Sequence, residues 1–318
     1  METVKNLLLA LLLGLFALAL VLFPAEASEA ARQGLSLCLR SVLPSLFPFF
    51  VLSSLFIAAG GAERFGRALE PVMRPLFRLS GAGASAPALG FVGGYPLGAR
   101  TVAELYRDGS LSGGEAERLL GFCNNAGPGF ILGVCGGTVF RSSRAGVHLY
   151  LVHVCAAALT GALLGRCGDA RRRGPVIPAP VGRADHAAAS KAPRSSRRRR
   201  FGAFPACVRD SFAAVWSVCG FVVLFAVVLR FVSLLLPPHP LLLGFVELTS
   251  GVLALRPDRG GFTFCAVLLA WGGLSVHAQT LSVLDGTGLS TKWYFLGKTL
   301  QAALSAPLAW MVSYWLYF

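Results

Sequence analysis

The chain has 318 residues, of which 55% are hydrophobic and only 14% are charged, and its net charge is +14. A soluble globular domain carries about 25% charged residues, so this composition argues against a soluble enzyme and predicts an all-α, polytopic membrane protein. The eight cysteines form no C-x-x-C pair and have no histidine at zinc-finger spacing, which predicts buried free thiols and no metal site. Ser275, His277 and Asp285 lack a nucleophile elbow, so we predict no catalytic residues, and no cofactor is expected.

The chain begins with an apolar stretch, residues 7–23, that contains no charge. With Lys5 before it and Ala25-Glu26-Ala27 after it, this stretch is similar to a signal peptide followed by its cleavage site. Its apolar core is longer than the usual core of about 7–15 residues. We therefore interpret residues 1–40 as a first transmembrane span with its connection, left uncleaved; cleavage is the alternative.

Residues 41–166 are predicted to form an N-terminal, Gate-like membrane half. An apolar helix is expected over residues 46–59, after Pro44. In residues 63–79 arginines alternate with apolar side chains, which predicts an amphipathic helix at the membrane interface, broken at Pro71 and Pro75. Apolar segments at 129–140 and 147–164 complete this half.

A basic linker is predicted over residues 167–205. Between residues 166 and 201 there are eleven Lys or Arg against two Asp, a net charge of +9 out of the total of +14. The segment has almost no bulky apolar residues, so we expect it to be disordered. Basic loops between spans are typical of the cytoplasmic side, which predicts a cytoplasmic linker and no nucleic-acid partner; attraction to anionic lipid is the remaining alternative.

Residues 206–318 are predicted to form a C-terminal membrane half. It begins with a long helix over 206–236, which the prolines of residues 237–240 stop. An apolar segment follows at 241–255, then a turn at 256–261 and a short helix at 262–271. The last span is expected over residues 293–316, where tryptophans and tyrosines suit the two membrane interfaces.

Four short polar interruptions lie inside otherwise apolar sequence, two in each half. In the first, residues 93–100, glycines free the backbone and Pro96 fits the first position of a helix that ends near Arg107. The leading N–H groups of that helix lack intrahelical partners, so the break at Gly94 and Tyr95 is a candidate anion site.

The second interruption, residues 124–129, follows a helix that starts near Ser112 with a capping box. Asn124 and Asn125 precede Pro128, which cannot donate a hydrogen bond to the carbonyl one turn earlier. Carbonyls left unpaired at membrane depth must face protein or a water-filled cavity. Alternatively, the two asparagines only cap helix ends at a structural kink.

The third and fourth interruptions, residues 247–251 and 272–279, lie in the second half. Glu247 is a carboxylate in an apolar segment, which makes it a candidate site residue; an interfacial position or pairing with an arginine is the alternative. Ser275, His277 and Gln279 share one side only on unwound backbone, which the double glycine before them favours. His277 could instead be a packing residue.

Paired interruptions in corresponding parts of two halves point to a transporter binding site, so we predict two pseudo-repeated halves with broken or re-entrant helices. Glu247 or His277 is the expected carrier of a coupling proton. The predicted lining residues are Gly94, Tyr95, Pro96, Asn124, Asn125, Glu247, Thr249, Ser250, Ser275, His277 and Gln279.

The interrupted segments also carry a family resemblance, which extends from about Pro44 to Ala303. Residues 94–99, 115–120 and 122–128, with residues 247–251 and 272–279 in the second half, resemble the nucleoside-recognition or Gate domain and, more closely, the sporulation integral membrane protein YlbJ family. The resemblance implies a membrane protein of endospore-forming bacteria that is associated with moving dipicolinate toward the forespore.

The sequence therefore predicts a transporter or permease, not an enzyme, for a small polar or anionic metabolite in spore formation, with dipicolinate as the leading candidate. A non-transporting scaffold of spore assembly and a nucleoside-type solute transporter are the alternatives. The expected partners are the solute, the lipid bilayer and a coupling ion, H⁺ or Na⁺, and a homo-oligomer is left open. The expected location is the bacterial cell membrane or the forespore membrane.

Overall fold

A computed structural model describes residues 2–59, 61–79, 81–107, 109–167, 203–237 and 239–317. Within these ranges the chain folds into helices and turns without a β-strand, which confirms the all-α prediction. The predicted linker, 167–205, falls almost entirely outside the described residues, so its disorder and its cytoplasmic location remain predictions.

The described ranges contain fourteen α-helices, two π-helical segments and one short 3₁₀ helix. The π-helical segments are Cys38–Val42 and Gly129–Val139, and the 3₁₀ helix is Gly81–Ala84. The α-helices are α1 (Glu2–Leu22), α2 (Pro24–Leu37), α3 (Leu43–Ala58), α4 (Gly61–Phe77), α5 (Ser85–Gly93), α6 (Leu97–Arg107), α7 (Gly113–Cys123), α8 (Ser143–Cys167), α9 (Ala203–Leu235), α10 (Pro240–Val246), α11 (Leu248–Leu253), α12 (Arg259–Trp271), α13 (Gly273–Leu284) and α14 (Lys292–Tyr317).

Three helical stretches of the described chain are long and apolar enough to cross a membrane: Ser143–Arg166, Phe204–Leu235 and Arg259–Leu284. A fourth is the pair Ala10–Leu22 and Pro24–Val42, if these two helices, bent by 99°, count as one span. The predicted polytopic membrane protein is thereby confirmed. The last helix, α14, has the length of a span at 26 residues, but a polar face directed into the protein lowers its apolar content.

The chain turns sharply after α1, and the segment that resembles a cleavage site lies inside α2. The Glu26 carboxylate accepts a hydrogen bond of 2.7 Å from Arg230 Nε of α9. Ala27 and Ala30 are buried and pack against Val227 of the same helix. The connection after the first span is therefore a helix that packs along α9.

The predicted break of the amphipathic helix at Pro71 and Pro75 is wrong, because α4 runs continuously through both prolines. Each proline removes one backbone hydrogen bond, and their four-residue spacing places both on one face, so the rest of the ladder is kept. Met73 and Phe77 are buried, and the Phe77 ring stacks on Phe122 at 4.9 Å between centroids. Tertiary packing of this inner face holds the helix together.

The two halves show the same order of elements. In each half two broken helices are followed by one long helix: α5 with α6, α7 with the segment Gly129–Val139, then α8; and α10 with α11, α12 with α13, then α14. The last helix, α14, packs against α7, α8 and α12, and so joins the halves. Symmetry between the halves remains a prediction.

Candidate functional site

The two interruptions of the first half are where the sequence predicted them. Between α5 and α6 the backbone leaves the helical path at Gly94, which has a φ of 79°, and α6 begins directly after Pro96. Between α7 and the following segment, residues 124–127 are not helical. The predicted capping box is also present: Ser112 accepts from the Glu115 N–H, and the Glu115 side chain accepts from the Ser112 N–H.

These two breaks touch each other through their backbones. A Cβ atom on Gly94 would lie 2.9 Å from the Gly127 nitrogen, closer than real Cβ contacts come. The left-handed φ of Gly94 also disfavours any side chain there. Glycine at these positions therefore lets two interrupted helices cross at their breaks.

The second half has the same kind of crossing. Glu247 separates α10 from α11 in extended conformation, and Gly272, with a φ of 93°, separates α12 from α13. A Cβ on Gly273 would lie 3.0 Å from the Gly244 carbonyl oxygen and 3.0 Å from the Leu248 nitrogen. Both halves thus bring two breaks into direct backbone contact.

The unwound backbone that we predicted for residues 272–279 is wrong beyond Gly272, because α13 begins at Gly273. Glycine completes the turn in the left-handed region and the helix restarts at once. Ser275 and Gln279 are four residues apart and face the same cavity, whereas His277 points elsewhere. The His277 ring packs edge-on against Trp271, Tyr294 and Phe295, as in the alternative reading of a packing residue.

A small cavity, with a volume of about 40 Å³, lies where the breaks meet. It is lined by residues of both halves and of α9: Val42, Leu46, Gly94, Tyr95, Gly127, Phe130, Val218, Val222, Glu247, Leu248, Thr249, Ser275, Val276 and Gln279. Six predicted lining residues are in this set: Gly94, Tyr95, Glu247, Thr249, Ser275 and Gln279. The other five, Pro96, Asn124, Asn125, Ser250 and His277, do not line it.

The depth of the cavity follows from α9, which has 33 residues and is the longest helix of the described chain. Val218 and Val222 lie near its middle, about 22–28 Å from its first residue at a rise of 1.5 Å per residue. The stretch Phe204–Leu235 is long and apolar enough to cross a hydrocarbon core about 30 Å thick, so we infer that its middle, and the cavity beside it, lie near the centre of that core.

The Glu247 carboxylate is the N-cap of α11. Its Oε1 accepts a hydrogen bond from the Thr249 N–H at 3.0 Å, and its Oε2 accepts one from the Ser250 N–H at 2.7 Å. No lysine or arginine of the described ranges lies within ion-pair distance of it. The first N–H groups of α11, and no arginine of the described ranges, therefore stabilise this buried carboxylate.

The two asparagines lie behind the cavity, in a buried polar network. Asn124 Nδ2 donates to Thr280 Oγ1 at 2.8 Å, and Asn125 Nδ2 donates to the Phe122 carbonyl at 2.8 Å. Gln301 Nε2 of α14 donates to Asn125 Oδ1 at 3.0 Å. The second break is thus fixed to both α13 and α14.

Sequence reasoning missed three members of this network: His153, Lys298 and Gln301, all of which are fully buried. His153 Nε2 accepts from the Ala126 N–H at 3.1 Å, and Lys298 donates to the Asn124 carbonyl. The spacing of Lys298, Gln301 and Ser305 marks one polar face of the last helix and could have revealed it. We based the prediction for that helix only on its aromatic residues, which indicate where its ends meet the membrane interfaces.

A second and larger cavity, the vestibule, has a volume of about 590 Å³ and lies between α3, α5, α6, α9 and α13. Pro96, Arg100 and Glu104 of the first half line it, as do Cys207 to Phe221 along the first half of α9. Gln279 and Val218 line both cavities, so the two spaces adjoin at these side chains. The vestibule lies toward the end of α9 that follows the predicted linker.

Comparison with known proteins identifies the family. Residues 39–163 match the Gate family, described as nucleoside recognition. The sporulation integral membrane protein YlbJ of Bacillus subtilis (strain 168) is 33% identical over 334 aligned positions, which cover 94% of this chain and 82% of that protein. The chain belongs to the YlbJ family. No solved structure matches it.

The predicted resemblance is thereby confirmed, and the Gate match can be placed on the fold. In this YlbJ-family protein it begins in the first π-helical segment, runs through both interruptions of the first half and ends within α8. The Glu247 cap, the Gly272 break and the polar face of α14 lie outside the Gate match.

Proposed function

We propose that this protein is a transporter or permease that carries a small polar or anionic metabolite across a membrane during spore formation, with dipicolinate as the leading candidate. The observation that carries the proposal is the meeting of four helix breaks around one cavity at mid-membrane depth, next to a wide vestibule. Transporters place their substrate between two halves at discontinuous helices in this way.

The polar groups of the cavity have spare capacity for a solute. Gln279 is buried, and its Oε1 has no hydrogen-bond partner in the part of the chain that the structure describes. Unsatisfied buried polar atoms cost free energy. Water or a donor group of a solute pairs with the Oε1 acceptor, and the Nε2 of the same amide is the group that can donate to a carboxylate. Ser275 and Tyr95 line the same space, so a flat, polar heterocycle would find an aromatic ring and hydrogen-bonding groups together.

We infer the chemical class of the solute from the family to which the chain belongs. The name of the relative refers to sporulation, and the YlbJ resemblance implies dipicolinate, a flat dianion. The Gate description refers to nucleosides, which are also flat nitrogen heterocycles, and a nucleoside-type solute is the second candidate on that ground. The vestibule lies on the side of the predicted cytoplasmic linker, so the proposed solute enters from the cytoplasm of the cell whose membrane holds the protein.

Replacing Gln279 with leucine is expected to lower dipicolinate flux by about tenfold or more, the equivalent of one lost hydrogen bond of roughly 1.4 kcal/mol. The measurement is uptake of labelled dipicolinate into liposomes that contain the purified protein. Gln33→Leu is the matched control, because Gln33 is exposed on α2, where its side chain donates to Glu29 at 3.0 Å. Unlabelled nucleosides added as competitors separate the two solute classes.

Absence of uptake would count against the proposal. Liposomes with the wild-type protein could take up neither dipicolinate nor nucleosides faster than empty liposomes, which would favour the scaffold. Deletion of residues 171–200 is then the next step, because a scaffold that docks partners through the basic linker loses its role in spores with that deletion. A transporter keeps most of its flux.

A further inference from the structure

The interior of the membrane domain holds a lysine without a carboxylate. Lys298 of α14 is fully buried, and no Asp or Glu of the described ranges lies within ion-pair distance of it. A charged side chain at membrane depth is costly and marks a functional site by default. Apolar packing does not offset the cost of burying this charge, so Lys298 is a candidate for a functional role.

The atoms around the lysine amine are those that bind a small cation. Lys298 Nζ donates to the backbone carbonyl of Asn124 and, at 3.2 Å, to Gln301 Oε1, and it lies 5.5 Å from the centroid of the Tyr95 ring. Carbonyls of interrupted helices coordinate Na⁺ in coupled transporters, and aromatic faces attract ammonium groups. The amine thus occupies a cation position built from the second break.

No neighbouring carboxylate of the described ranges balances the positive charge of protonated Lys298. The titratable side chains that face it are Tyr95 from the first break, Cys123 from α7, His153 from α8 and His277 from α13, and none of these is an acid that ionises near neutral pH. The Glu247 carboxylate uses both oxygens on the N–H groups of α11.

The charged groups of α12, the remaining helix packed along α14, lie at its first turn. There Asp258 accepts from the Gly261 N–H, and the Arg259 guanidinium lies 4.5 Å from the centroid of the Trp310 ring. Trp310 follows Lys298 by twelve residues, or roughly 18 Å along a helix. Among the described residues, the partners of the Lys298 amine are therefore uncharged: a backbone carbonyl, an amide oxygen and an aromatic ring.

We propose that Lys298 is a built-in coupling cation: its ammonium takes the place of Na⁺, and the protein couples transport to protons by releasing and rebinding one proton at Nζ. This inference rests on the proposed transport function. With its proton, the amine donates to Asn124 and Gln301 and holds the second break against α14. Release of the proton to water leaves a neutral amine with two N–H donors and a lone pair. Loss of the charge weakens the contact between the second break and α14 while the cavity opens to the other side of the membrane.

The ion dependence of the wild-type protein tests the proposal without any substitution. Dipicolinate is the probe, in liposomes with an imposed pH gradient and either Na⁺ or choline as the monovalent cation. We expect accumulation to follow the pH gradient and to be the same in both media. Accumulation that requires a Na⁺ gradient, or that ignores the pH gradient, overturns the proposal.

Lys298→Arg separates a coupling proton from a fixed charge, because arginine keeps the charge but does not deprotonate. We expect this variant to lose gradient-driven accumulation by about tenfold or more, while exchange of labelled for unlabelled dipicolinate across the membrane continues. Lys292→Arg is the matched control on the exposed first turn of the same helix. If Lys298→Arg still accumulates solute, Lys298 is only a fixed charge and the proposal fails.

A measurement without solute separates this proposal from the proposed function. The melting temperature of the purified wild-type protein is expected to be the same in NaCl and in choline chloride, since the lysine already occupies the cation position. A rise that is specific to Na⁺ shows a Na⁺ site and contradicts the proposal, whichever solute the protein carries and whether or not Lys298→Arg folds. Absence of dipicolinate exchange by the wild-type protein counts against the proposed solute instead.

Discussion

Gly98→Ala is expected to destabilise the folded protein by more than about 3 kcal/mol. A Cβ on Gly98 would lie 2.1 Å from the Cys123 carbonyl oxygen and 2.8 Å from the carbonyl carbon. The obstacle is backbone, and it cannot rotate away as a side chain can. The carbonyl belongs to the last residue of α7, directly before the second break.

Gly220→Ala is the matched control, because a Cβ on Gly220 of α9 meets no atom within 4 Å. The measurement is the melting temperature in detergent, together with the fraction of protein that elutes as a single species on size exclusion. Gly220→Ala is expected to match the wild type, whereas Gly98→Ala elutes as aggregate or melts far below it. Equal stability of the two variants would show that α6 does not pack on the second break.

Gln301→Leu is expected to lower stability by roughly 1–3 kcal/mol for each group that it leaves unpaired, which here means two groups. Asn125 Oδ1 loses its 3.0 Å hydrogen bond from Gln301 Nε2, and the Lys298 amine loses the acceptor Gln301 Oε1. Leucine has a similar size, so the loss reports hydrogen bonding more than volume. Transport is expected to fall as well, because the second break loses its link to α14.

The control for this substitution is again Gln33→Leu, on the exposed surface of α2. Melting temperatures of both variants are compared with that of the wild type, and a double variant of Gln301→Leu with Asn125→Leu isolates the coupling between the two side chains. If the single and double variants lose stability additively, the two amides do not interact, and the buried network is not what fixes the break.

The positions of the first two breaks could be predicted because local chemistry decides them. Pro96 and Pro128 lack the N–H that a helix needs, and Gly94 adopts a backbone conformation that other residues avoid. The capping box of Ser112 and Glu115 is equally local, since both partners lie within one turn. Sequence alone therefore gave the ends of α6 and α7 within a residue or two.

The destinations of the polar side chains could not be predicted, because tertiary packing decides them. Nothing in the neighbourhood of Asn125 indicates that its partner is Gln301, which is 176 residues away. His277 was predicted to line the cavity, but the restart of α13 directly at Gly273 turns it toward Tyr294, with 2.7 Å between its Nδ1 and the Tyr294 hydroxyl. The same limit applies to α4, where buried Met73 and Phe77 outweigh the local effect of two prolines.

Glu247 lies at the cavity, as the sequence predicted, but its carboxylate caps α11. The sequence identified it as a polar group in the membrane interior, and the structure places it at the cavity. Its two oxygens are already used by the N–H groups of α11, so its first task is to hold that short helix in place. We infer that the groups with spare hydrogen-bonding capacity, Gln279 above all, meet the solute.

The central claim is that the four helix breaks surround a solute site in the middle of the membrane. The most direct test is an electron cryo-microscopy map of the protein in lipid nanodiscs with dipicolinate added. We expect non-helical density at residues 94–96, 124–127, 247 and 272, and solute density in contact with Tyr95, Ser275 and Gln279. A map with these stretches continuous and facing lipid, or with dipicolinate bound elsewhere and this cavity closed, would contradict the account.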